Sequence, residues 1–129
     1  MKINFDIIRR ICISIQESPS EYVTMVYSSS FTTDAFNAHL KLAHEVKFIE
    51  GELKYEDNKL VSYELRLTAL GQDFANKTKD EYIWFDFKRF MKQCSLEIPV
   101  FMINDLLSEY IKPYYANNFI FNYSLHNLS

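Results

Sequence analysis

Glycine and proline are scarce in this chain, with two and three residues out of 129. Flexible linkers and low-complexity tracts need far more of both, so continuous folded structure is expected. Two glycines cannot build a phosphate-cradling loop, which removes the common nucleotide-binding motifs. Cysteine is equally rare. Cys12 and Cys94 are far apart and form no C-x-x-C, so each is expected as a buried free thiol on the apolar side of a helix. Apolar runs of ~18 residues, the length of a membrane span, are missing. Near the start, Asp6 interrupts any signal-peptide pattern. These features together suggest a cytoplasmic chain with no membrane partner. Positive charge is not in excess either: 14 Lys and Arg stand against 17 Asp and Glu, a formal net charge of -3. General electrostatic attraction to nucleic acid is therefore lacking, and binding to it would need a local patch.

The reactive residue types are few and badly spaced for chemistry. His39 and His44 are five residues apart, which places them about 140° apart around a helix and suits no shared metal. The three histidines form no H-E-x-x-H. The adjacent His44–Glu45 pair has no evident nucleophile or third partner. Glu50, Glu52 and Glu56 lack calcium-loop spacing. No metal, no cofactor and no enzymatic activity are expected. His39 borders an apolar face and reads as a packed, hydrogen-bonded side chain.

What is present is core material, at 48% hydrophobic and 16% aromatic residues. Residues 3–17 carry Ile8, Ile11, Cys12 and Ile15 at helical spacing, with Ile3, Ile7 and Ile13 broadening the stripe. S-P-S at 18–20 stops that helix. Y-V-T-M-V-Y at 22–27 is rich in β-branched and aromatic side chains and predicts a short strand before Ser28–Ser30. Thr32 then caps a helix whose inner face is Phe36, Leu40, Ala43 and Val46. Phe31 is placed to pack on Phe36 as a hydrophobic staple. Residues 52–67 predict a β-hairpin, with Val61, Tyr63, Leu65 and Leu67 on one side and a polar tip around Asp57–Asn58. Thr68 caps the next helix, with Leu70 and Phe74 expected inside and Gly71 marking a close backbone approach. Residues 80–94 form a further helix lined by Ile83, Phe87, Phe90, Met91 and Cys94, with Trp84 and Lys88 beside the stripe. A last helix follows Pro99, with Pro113 at its end.

Helix, short strand, helix, β-hairpin wing and then three further helices is an α+β, winged-helix-like order. The expected organisation is a domain over 1–112 with C-terminal helices, and an extension over 113–129 docked on it. The motifs in this order resemble a small domain-of-unknown-function family found in Firmicute genomes and their phages. Its members open like M-K-R-D-M-D-L-I-R-K-I-L, matched here by MKINFDIIRRI. They continue with a helix like S-x-E-E-I-x-Y-H-L-x-L-L-x-E-A-G-L-I, where His39, Leu40, Leu42 and Ile49 fall on the pattern. An R-L-T-x-x-G-H-x-F segment follows, matched by Leu67, Thr68, Gly71 and Phe74, and Trp84 stands where the family has Trp. The chain departs at Asn4–Phe5, at Gln72 in place of His, and at Glu45–Phe48, which loses the glycine of E-A-G-L. The resemblance covers roughly 1–112, and it implies the fold without naming a ligand.

Two functional readings follow. In the first, the chain is a DNA-binding or regulatory accessory protein. Asn37, Lys41 and His44 then face a groove from the central helix, with Lys54 and Lys59 on the wing and Arg9 and Arg10 on the first helix meeting phosphates. Asp34, Glu45, Glu52, Glu56 and Asp57 lie among them, a poor setting for a polyanion. In the second reading the chain binds protein, as a homodimer or with another partner. Tyr82, Trp84 and Phe85 then supply an aromatic interface on the helix 80–94.

Overall fold

Asn4 starts the first helix, α1 (Phe5–Glu17), because its side-chain oxygen accepts the Asp6 N–H and satisfies an otherwise orphaned donor. In this computed structural model, which describes residues 2–26, 31–94 and 97–113, the helix buries Ile7, Ile8, Ile11, Cys12 and Ile15. That is the stripe expected from the sequence, except that Ile3 precedes the helix and is exposed, and Ile13 is only half-buried. The chain forms two compact units, one up to Asp80 and one from Glu81 onward.

In the first unit the predicted strand over 22–27 shrinks to a single antiparallel bridge, Val23 to Leu65. The reason lies in the spacing of the buried residues. Val23 and Val26 both turn inward, three residues apart, which breaks the two-residue period a ladder requires. Val26 N–H is taken instead by the Tyr63 hydroxyl at 2.7 Å. Tyr27, Ser28–Ser30 and the extension beyond 113 lie outside the described residues.

Thr32 caps α2 (Thr33–Glu45) through the Ala35 N–H, as expected. Phe36, His39, Leu40 and Ala43 form its buried face. The helix ends in a Schellman turn: Lys47 N–H donates to His44 C=O and Phe48 N–H to Ala43 C=O. Lys47 occupies the left-handed position at φ 68°, the place where the resemblance given above would set a glycine. Phe48 and Ile49 then drop into the core.

The hairpin pairs β1 (Ile49–Glu56) with β2 (Lys59–Leu67) around a two-residue loop. Asp57 and Asn58 both have positive φ, the signature of the mirror-image turn that suits the twist of a hairpin. Near the tip Tyr55 pairs with Leu60 and Lys54 with Ser62, so Val61 bulges out of register and is exposed. The base of the hairpin is anchored through Ile49 and Leu65, and Tyr63 one step further out holds the Val26 N–H. The rest projects as a wing.

Thr68 joins three pieces. Its hydroxyl accepts the Gly71 N–H to cap α3 (Ala69–Thr78) and donates to Lys47 C=O, while its own N–H meets Phe48 C=O. A Cβ on Gly71 would lie 1.9 Å from the Phe48 carbonyl oxygen, so the close approach read from the sequence is real. Phe74 stacks on Phe48 with centroids 4.9 Å apart, each ring adding roughly 2–3 kcal/mol by burial. Leu70, expected inside, is exposed. Gly71, Phe74, Ala75 and Thr78 form the buried face of α3, and Leu70 lies outside it.

The second unit holds α4 (Glu81–Gln93), a 3₁₀ turn (Val100–Met102) and α5 over 103–113. Tyr110 of α5 packs against Phe87 and Phe90 and donates its hydroxyl to Asp86. The buried residues of α4 are Trp84, Phe87 and Met91, while Ile83 and Phe90 of the expected stripe are half-buried, so the helix is turned toward Trp84. That rotation leaves Cys94 exposed, contrary to expectation, whereas Cys12 is fully buried.

Candidate functional site

The helix–wing face is where a winged-helix protein would read DNA. Lys41, His44 and Lys54, three of the expected cationic or polar contacts, line one shallow groove of about 640 Å³ between α2 and β1. Glu45 and Glu52 line it too. His44 is not free to read a base edge, because its Nε2 donates to Gly51 C=O at 3.0 Å. Lys54 leans on Glu52 at 3.9 Å. Asn37 is half-buried, and Lys59 stands at the hairpin tip.

Other cations near this face are also engaged. Arg66 bonds Glu50 at 2.7 Å, reaches Glu21 at 3.6 Å and lies over the Tyr22 ring. The Glu50 hydrogen bond raises its pKa above the ordinary value, reinforced by Tyr22. Arg9, expected at a phosphate, donates its Nε to Thr78 C=O at 2.8 Å and thus ties α1 to the last turn of α3. Arg10 remains exposed on α1. Across α2 and the hairpin, seven acidic residues stand against four basic ones.

His39 is structural, as expected. It is buried, its Nδ1 meets Ala35 C=O at 2.6 Å, and its Nε2 lies 2.9 Å from the Asn4 N–H. A backbone N–H can only donate, so Nε2 is the acceptor and Nδ1 carries the proton. The side chain thereby fixes the start of α1 to α2. Among the described residues no cluster of three or more metal-ligating side chains occurs.

The expected aromatic interface separates into two parts. Trp84 is 1% exposed and belongs to the core, which removes it from the surface. Tyr82 and Phe85 remain outside, 77% and 62% exposed. Arg89 and Lys92, overlooked in the sequence reading, continue the same exposed stripe. The steps from 82 to 85, 89 and 92 are three, four and three residues, the spacing of a coiled-coil seam. The aromatic residues of this outer face stand out in the sequence, whereas its two cations are found by extending the same three- and four-residue steps toward the C-terminal end. Arg89 is held by Asp86 at 2.5 Å, and Lys88 lies 4.7 Å from the Phe85 ring centroid.

The order of helices and hairpin, with Val23 bridged to β2, defines an α+β protein compatible with a winged-helix-like arrangement. The chain belongs to the family described as hypothetical protein (DUF2513), whose model matches residues 2–97. No curated protein and no solved structure matches it. Among the described residues, no helix is long and apolar enough to cross a membrane.

Proposed function

We propose that this chain is a non-enzymatic protein-binding module on a winged-helix-like frame, and that duplex DNA is not its ligand. The observation that carries this reading is the pair of solvent-facing rings on α4, Tyr82 and Phe85, beside Arg89. Tyrosine, phenylalanine and arginine are enriched at protein interfaces, and Tyr and Arg recur among the residues that dominate binding energy. The helix–wing face supports the same reading from the opposite side. Phosphate contacts supply most of the affinity of a DNA-binding surface, and here acids outnumber bases and several cations already hold partners.

The test has two arms. Titration with mixed-sequence duplex at two salt concentrations should give no salt-sensitive binding; a steep loss of binding with salt would overturn the proposal. A photo-crosslinking side chain at position 82, introduced into the chain in its native cells, should trap polypeptide. Crosslinks to nucleic acid, or none at all, would count against it.

A further inference from the structure

We infer that α4 is a self-pairing helix that docks antiparallel against α4 of a second copy of this chain. The inference rests on the protein-binding reading and names the partner. The seam Tyr82, Phe85, Arg89 and Lys92 has aromatic rings at its N-terminal half and cations at its C-terminal half. A twofold axis beside position 87 sets Tyr82 against the second copy's Lys92 and Phe85 against its Arg89, then repeats both layers by symmetry. All four layers set a cation of one copy beside an aromatic ring of the other. The Phe85 ring already carries its own Lys88 4.7 Å from its centroid, so the second copy's Arg89 meets the opposite face. Glu81, at the exposed start of the helix, flanks the second copy's Lys92. In a parallel pair the same residues would stack arginine on arginine, lysine on lysine and glutamate on glutamate. Charge therefore selects both the partner and its direction.

The seam is partly organised in advance. Asp86 accepts from both Arg89 and the Tyr110 hydroxyl of α5, so the guanidinium is held before any partner arrives. The interface is small. A helix of 13 residues is about 20 Å long and covers less than the ~800 Å² per partner of a stable complex. Pairing is accordingly weak, with solution mass rising over roughly 10 μM to 1 mM.

Sedimentation of the full chain over that range tests the inference. Phe85→Ala should raise the dissociation constant at least about fivefold, since it removes two of the four layers. Glu81→Lys and Lys92→Glu should each weaken self-association, because each sets like charges at both ends of the pair. An equimolar mixture of the two should recover it, because the exchanged charges meet across one end. Direction is read from Cys94, the exposed thiol; Cys12 is buried, and burial pushes its pKa up to about 12, so it stays unlabelled. Spin labels at Cys94 should lie roughly 20–30 Å apart in the antiparallel pair and about 10 Å apart in a parallel one. A strict monomer at 1 mM, association indifferent to these substitutions, or the short label distance would each overturn the inference. A monomer whose position 82 still crosslinks to another protein would leave the broader reading standing.

Discussion

At the scale of single residues, the turn after α2 carries an avoidable cost. Lys47 adopts φ 68°, a conformation that disfavours a side chain by ~1–2 kcal/mol. Lys47→Gly should therefore stabilise the fold by about 0.5–1 kcal/mol, after allowing for the freer unfolded chain. Chemical denaturation measures it, and a loss of stability would mean that the lysine has a contact of its own. Gly71 is the opposite case. Its missing Cβ makes room for the Phe48 carbonyl, so Gly71→Ala should cost about 2–3 kcal/mol by forcing α3 away from the α2–β1 turn. A cost below about 0.5 kcal/mol would show that the helix shifts freely. The sequence announced Gly71, because an isolated glycine in a helical pattern asks for a reason. It was silent on Lys47, because lysine is not a residue type that signals a positive φ.

At the scale of elements, periodicity and caps carried most of the information. Thr32 and Thr68 each begin a helix where a side-chain cap was expected, and the alternation over 61–67 gave the second hairpin arm. The segment 22–27 misled because composition favours a strand while the inward positions, Val23 and Val26, do not alternate. A bridge at Val23, the Tyr63 hydrogen bond to Val26 and the Arg66 guanidinium over the Tyr22 ring hold it. Tyr63→Phe removes that bond and leaves the Val26 N–H without its partner, at a cost of about 1–2 kcal/mol. Hydrogen exchange should quicken at Val26 while the paired amides of β1 and β2 keep their protection; unchanged exchange at Val26 would refute this role. For α4 the apolar residues were legible but the helix rotation was not. Trp84, Phe87 and Met91 turn inward, and the turn of the helix that buries Trp84 also brings Tyr82 and Phe85 to solvent.

For the whole molecule, charge carries further than fold. A winged-helix-like order suggests nucleic acid by analogy, yet fold does not confer function. The excess of acid visible in the sequence is sharpened by the placement of Arg9, Lys54 and Arg66, each held by a group within the protein. Those engagements were illegible in the sequence because their partners are distant in the chain or depend on side-chain direction. Among the described residues β1 pairs only with β2. On its other edge His44 already takes the Gly51 carbonyl, so strand addition by a neighbouring molecule would have to use the outer part of the strand. Glu50, Glu52, Lys54 and Glu56 alternate along that edge, and the bulge at Val61 bends its partner strand near the tip. Three carboxylates to one ammonium in that row set like charges together in a parallel, in-register stack of this strand, which disfavours fibrillar assembly in that arrangement.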